Sequence, residues 1–186
     1  MSNKRGHVIV LSGPSGVGKG TVCKELLRLH PEILPSVSAT TRAPRPGERE
    51  GVNYFFVTDE RYDEMLENGE FLEHFEIYEN RYGTPKRFVL DRLKEGKDVL
   101  LEIDVQGALR VKEIMPDAVL IFLLPPSEQA LYERLSGRNT ETEESLKRRF
   151  AAARAELALK DRYDYRVVND KLDRCVREVA NIIENL

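Results

Sequence analysis

The chain has 186 residues, 41% hydrophobic and 33% charged, which suits one domain that buries its own core without a disulfide staple. A formal net charge of −3 excludes a general nucleic-acid binder, so any basic site must be local. The apolar run at 7–12 is too short for a signal-peptide core or a bilayer span, and Cys23 and Cys175 fit no metal spacing, so reduced buried thiols in the cytoplasm are expected, with no membrane contact and no obligate protein partner.

In chain order, "HVIVLS" (7–12) reads as a buried strand and 21–30 as a helix stopped by Pro31. The stretch 35–57 is rich in Pro, Gly and Arg and reads as loop between short strands. Thr58 is placed to cap a short helix, and 69–85 reads as strand, turn and strand. A helix at 86–95 is followed by a buried strand at 97–104 that ends in carboxylates, then a helix at 106–114. A third buried strand, "AVLIFLL" (118–124), stops at Pro125, and Ser127 caps the helix that runs to about Leu135. Thr140 and Glu143 have capping-box spacing for a long helix over 143–160. "YRVVN" is a fourth strand, and Asp170 is expected to cap a final helix over 171–185. Strands alternating with helices, with apolar runs that lack a clean period of two, imply an α/β fold whose parallel sheet is covered on both faces. The segment 35–84 breaks the alternation and reads as an inserted substrate-binding subdomain.

The stretch "GPSGVGKG" (13–20) lies between the first strand and the first helix, and Gly13, Gly18 and Lys19 fit G-x-x-x-x-G-K. Such a loop turns backbone N–H groups toward phosphate oxygens, and the helix behind it adds its positive end. The expected nucleotide contacts are Gly13, Pro14, Ser15, Gly16, Val17, Gly18, Lys19, Gly20 and Thr21, with Lys19 as the cation for the β and γ phosphates. Gly20 departs from the pattern: it stands where a serine or threonine usually offers Mg²⁺ a hydroxyl, and Thr21 is one residue late. The metal is therefore expected to be held mainly by phosphates and water, with Glu102 and Asp104 behind the waters. The loop alone specifies ATP or GTP and leaves the phosphate acceptor open.

The segments "SVSATTRAPRPGEREGVNY", "EFLEH", "YGTP", "LEIDVQGA", "GRNTETEE" and "VVND" occur in the order and spacing of the guanylate kinases, and the chain resembles that family from about residue 6 to its end. The resemblance implies a P-loop nucleoside-monophosphate-kinase fold: a core over 1–34, 85–136 and 145–186, a GMP-binding insert over 35–84, and a lid over about 137–144. It implies transfer of the γ-phosphoryl group from Mg²⁺–ATP to GMP, with dGMP also accepted. It also carries roles onto single residues. Glu73 would accept from the two adjacent guanine donors, and Ser38 and Thr84 would donate to O6. Arg42, Arg45, Tyr54 and Tyr82 would hold the GMP phosphate. Arg138 and Arg149 would swing onto the transferring phosphoryl group, Asp104 would serve hydrated Mg²⁺ or GMP, and Asn169 would lie near the adenine.

Taken alone, Glu73 reads as a surface strand carboxylate and "RRF" (148–150) as an ordinary charged helix face; solvated loop arginines at Arg42 and Arg45 and core aromatics at Tyr54 and Tyr82 are the alternatives to the roles given above. Arg148 is expected to face solvent. The three histidines show no metal-binding or catalytic spacing, and His74 and Arg81 stand where the family more often carries other residues. A protein-binding module of the same fold, having lost the reaction, is the alternative of another class; the retained Lys19, Arg42, Arg138 and Arg149 argue for the enzyme.

Overall fold

The computed structural model describes residues 5–77, 79–137 and 143–186. Five strands form the main sheet: β1 (Val8–Ser12), β2 (Leu34–Pro35), β7 (Val99–Glu102), β8 (Val119–Leu124) and β9 (Tyr165–Val168). Their order is β2-β7-β1-β8-β9, and every pairing is parallel. The four expected strands are all present, with β9 exposed at Tyr165 and Arg166, and β2 adds a two-residue edge that the proline-bearing sequence did not suggest.

Alternation along β1 explains the layering. Val8 and Val10 face one side, where they pack with Leu101, Leu120 and Phe122 under α3 (Lys86–Lys94) and α4 (Val105–Ile114). Ile9 and Leu11 face the other, under α1 (Lys19–Leu29) and α7 (Leu172–Glu184). Burial on both faces is why these strands read as continuous apolar runs. Cys23 and Cys175 are free thiols in the second layer.

The insert builds its own sheet from β3 (Ala39–Thr40), β4 (Phe55–Phe56), β5 (Phe71–Ile77) and β6 (Asn80–Pro85), in the order β4-β3-β6-β5. Helix α2 (Asp59–Glu67) closes a small core of Ala39, Tyr62, Met65 and Phe71 over it. Thr58 caps α2 as expected, accepting from Arg61 N at 3.2 Å. Arg81 pins α2 to β6 through Asp59 (2.6 Å) and Asp63 and through the Tyr62 ring, so it serves the insert's own packing.

Helices α5 (Glu128–Ser136) and α6 (Glu143–Leu157) pack on each other through Leu131, Leu135 and Ala153. Ser127 caps α5, accepting from Ala130 N at 3.0 Å. Two expectations need correction. Helix α6 ends at Leu157, three residues early, because the chain turns through Lys160–Arg162 to bring Tyr163 into the core edge-to-face with Phe122. Asp170 does not cap α7. Its carboxylate accepts from Lys171 N at 2.5 Å and pairs with Arg174, and Lys171 holds the cap position without a side-chain bond. Thr140, and with it the expected capping box, lies outside the described residues. Among the described residues no helix is long and apolar enough to cross a membrane.

Candidate active site

The C-terminal ends of β1 and β7 lie side by side, Leu11 opposite Glu102. The phosphate loop therefore leaves the sheet beside the Glu102–Asp104 corner, at the edge where parallel α/β sheets bind ligands. The loop's glycines are required by contact as well as by conformation. Gly13 has φ +148°, and a Cβ there would lie 2.6 Å from the Leu123 carbonyl; Gly18 has φ +99°, and its Cβ would meet Asn169 Nδ2 at 2.8 Å. Lys19 opens α1 and folds its ammonium back onto the loop, donating to Gly13 O at 2.7 Å and Pro14 O at 3.4 Å. Burial pulls that ammonium below the ordinary lysine value, against the charges of Glu156, Glu102 and Asp104.

Gly20 and Glu102 are close neighbours. A Cβ on Gly20 would sit 3.3 Å from Glu102 Oε1 and 3.9 Å from Oε2. The volume where a loop serine or threonine would stand is thus bordered by a carboxylate. Glu102 is open to the cleft, yet the surrounding protein lifts its carboxyl above the ordinary range while Lys19 and the Cys23 thiol lower it. Asp104 caps α4, accepting from Gly107 N at 2.8 Å. Thr21 is exposed. Among the described residues no group of three or more His, Cys, Asp and Glu could hold a metal. Two oxygen donors, Glu102 and Asp104, beside a loop built for phosphates suit a hard cation such as Mg²⁺ whose other ligands come from phosphates and water.

In the insert, Glu73 is 2% exposed and faces Thr84 across the β5–β6 pair. Thr84 Oγ1 donates to Glu73 Oε1 at 2.6 Å, while Oε2 is buried with no hydrogen-bond partner among the described residues. Burial raises the Glu73 carboxyl to about 7; the Thr84 bonds lower it, and Asp104 adds to the rise. Gly107 permits this arrangement: its Cβ position lies 3.1 Å from Glu73 Oε2 and 3.5 Å from Asp104 Oδ1. His74, the next residue on β5, is exposed.

Arg42 is half-buried between Tyr54 and Phe56, its guanidinium carbon 5.4 Å and 6.0 Å from the ring centres. Glu48 accepts from Arg42 NH2 with both oxygens, at 2.8 and 3.0 Å, and from Arg45 N at 2.7 Å. The Arg45 side chain is exposed. Tyr82 stacks on Phe75 at 5.5 Å and meets Tyr54 edge-on at 6.0 Å. Ser38 and Tyr54 share a cleft of about 140 Å³ with Cys23 and Glu102, which links the insert to the loop. A larger cavity of about 480 Å³ lies around Arg5, His7 and Lys86, at the opposite end of the main sheet.

Asn169 is buried behind the loop, donating from Nδ2 to Val17 O at 2.8 Å. Arg134, left without a role by sequence reasoning, braces the same point, donating to Val17 O at 3.1 Å and to Asn169 O at 2.8 Å. Arg149 NH2 donates to Ser15 Oγ at 3.3 Å. Arg148 is exposed, as expected. Arg138 and the rest of 138–142, the middle of the expected lid, lie outside the described residues. Sequence reasoning missed Glu48, Arg134 and Glu156. Glu48 alone left a local signal, a carboxylate closing the Pro-Gly turn three residues after Arg45.

The family model for guanylate kinase matches residues 5–186. A guanylate kinase from Clostridioides difficile is 50% identical over 182 residues, covering 98% of this chain and 89% of the relative. One from Streptomyces kasugaensis is 55% identical over 179 residues, covering 96% and 87%. The crystal structure of guanylate kinase from Anaplasma phagocytophilum superposes with a TM-score of 0.79 at 36% identity, covering all of this chain and 88% of that one. The SH3-kinase fragment of tight junction protein 3 shares the fold alone, at 13% identity and a TM-score of 0.52, covering all of this chain and 58% of that one. With a phosphate loop, a buried insert carboxylate and family-wide similarity running almost end to end, the chain belongs to the guanylate kinase family.

Proposed function

We propose that this chain transfers the γ-phosphoryl group of Mg²⁺–ATP to GMP, giving ADP and GDP in purine nucleotide metabolism, and that its two buried free thiols suit it to the reducing cytoplasm. The observation that carries this reading is Glu73: a buried carboxylate with one oxygen unpartnered among the described residues, in an insert beside a phosphate loop that keeps Gly13, Gly18 and Lys19. Its ionised form accepts from guanine N1–H and the exocyclic amine together. Those donors replace Thr84 on the carboxylate, and the freed Thr84 hydroxyl turns with Ser38 toward O6. Adenine has no N1–H and would leave the carboxylate buried and half-paired, a loss that discriminates by about 10⁴-fold or more.

Arg42, held by Glu48, and Arg45 bind the GMP phosphate with Tyr54 and Tyr82. The N–H groups of Gly16, Gly18, Lys19, Gly20 and Thr21 cradle the ATP phosphates, and Lys19 leaves the Gly13 and Pro14 carbonyls for the β and γ oxygens. A GMP phosphate oxygen attacks the γ phosphorus. The new P–O bond forms as the bond to the β-bridging oxygen breaks, and the electron pair leaves on ADP. The attacking group is already an oxyanion, so no general base is needed. Charge spreads over three oxygens in the loose transition state, where Lys19, Arg138 and Arg149 meet it. Bound Mg²⁺ would neutralise the β and γ oxygens, with Glu102 and Asp104 fixing its waters. Asn169 holds the back of the loop on the adenine side. None of the assigned residues reads the sugar 2′-hydroxyl, so dGMP is accepted too. Insert and lid close over both nucleotides and exclude the water that would otherwise take the phosphoryl group.

Incubation with Mg²⁺–ATP and each nucleoside monophosphate in turn tests the assignment. GDP is expected from GMP, with ADP formed in equal amount; a comparable yield of another diphosphate would refute it.

A further inference from the structure

Ser15, on the rim of the phosphate loop, is held at two atoms by one helix. Glu156 Oε2 accepts from its backbone N–H at 3.1 Å, and Arg149 NH2 donates to its hydroxyl at 3.3 Å. Both partners lie on α6, seven residues apart, which is two helical turns along one face and about 10 Å along the axis. Glu156 lies one residue before the helix ends and is half-buried; it also heads the charges that act on Lys19. The same carboxylate thus touches the loop backbone, faces the loop cation and stands at the root of the helix that carries Arg149.

We infer that Glu156 is a positioning residue for phosphoryl transfer: its bond to the Ser15 N–H fixes the foot of α6 to the loop and so sets where the Arg149 guanidinium reaches. The inference rests on the reading that Arg149 acts on the transferring group. The bond uses the N–H of Ser15, and Val17 N donates to Pro14 O at 3.2 Å, which leaves the N–H groups of Gly16, Gly18, Lys19, Gly20 and Thr21 for phosphate. The tie therefore persists when nucleotide binds, and α6 turns about a fixed root. Arg149, two turns nearer the lid, moves through an arc centred on the loop.

Steady-state kinetics of Glu156→Ala, Glu156→Gln, Arg149→Ala and the Glu156→Ala/Arg149→Ala double variant test this. Glu156→Ala is expected to lower kcat by about 10- to 100-fold, since displacing a catalytic cation by about 1 Å costs that much. The KM for GMP is expected to stay within about twofold, because the insert is untouched. Glu156→Gln keeps a carbonyl oxygen for the Ser15 N–H and is expected to retain kcat within about threefold of the parent. In the Arg149→Ala background, Glu156→Ala is expected to add less than about threefold, as for two residues acting as a unit. Calorimetric GMP binding reports folding of each variant. If Glu156→Ala does not fold, Glu156→Asp, which withdraws the carboxylate by one methylene, replaces it in the same comparison.

Full kcat in Glu156→Ala, the whole penalty repeated in the Arg149→Ala background, or equal damage in Glu156→Gln and Glu156→Ala would each overturn the inference while leaving the role of Arg149 intact. Full kcat in Arg149→Ala alone would remove the underlying reading, and the inference with it.

Discussion

Glu73 Oε1 accepts from Thr84 Oγ1 at 2.6 Å, while Oε2 of the same carboxylate is buried without a partner among the described residues. A buried acceptor left unmatched costs stability, so this pair is arranged for something other than the unliganded fold.

The cost has a pH signature. The Glu73 carboxyl is raised from 4.5 to about 7, so folding favours its protonated form. The stability this gives is complete below about pH 4.5 and lost as pH rises through about 7, a difference of about 3 kcal/mol. Glu73→Gln, which cannot ionise, is expected to gain on the parent by about that amount between about pH 4 and pH 8.5 in urea unfolding without nucleotide. A constant gap between the two proteins across that range would contradict it.

Glu48 holds Arg42 and the Arg45 backbone together. Glu48→Gln has one acceptor oxygen for three bonds, so Arg42 loses its fixed position. The KM for GMP is expected to rise about tenfold with kcat within about twofold, the pattern of lost ground-state binding. An unchanged KM would show that the Tyr54 and Phe56 rings and the Ala43 carbonyl position Arg42 without Glu48.

Gly20 and Glu102 should behave as a pair, given the 3.3 Å between a Gly20 Cβ position and Glu102 Oε1. Chelating Mg²⁺ is expected to abolish turnover. At fixed Mg²⁺, Glu102→Ala is expected to lower kcat, and Gly20→Ser placed on top of it to recover about tenfold by supplying the missing hydroxyl. Gly20→Ser alone crowds the carboxylate and is expected to lower kcat. Simple additivity of the two substitutions would show that they do not share a role.

Lys19→Met is expected to lower kcat by about 10³-fold or more while the far-UV dichroism is unchanged, since the loop's shape comes from its glycines. Turnover within about tenfold of the parent, followed by coupled ADP release, would remove Lys19 from the chemistry.

The residues that sequence reasoning could place are those whose surroundings are local. Val8–Ser12, Val99–Glu102 and Val119–Leu124 read as strands because burial on both faces leaves unbroken apolar runs. The loop was legible because each of its glycines answers a contact or a dihedral angle. Glu73 was not legible alone: its burial comes from Thr84 on the facing strand and from Gly107, which approaches from the core. Glu156 and Arg134 look like any charged residues on helices, and only the packing of α5 and α6 against the loop gives them partners. Asp170 had the right spacing for a cap, but the neighbouring Lys171 N–H and Arg174 took its carboxylate.

The central claim is that an ionised Glu73 reads guanine, and kcat/KM for GMP and for AMP in the parent and in Glu73→Gln tests it most directly. The account predicts that the substitution lowers the GMP value by about 10²-fold or more and leaves the AMP value within about threefold, because an amide cannot accept from both guanine donors. An unchanged value for GMP, or an equal fall for both nucleotides, would contradict it.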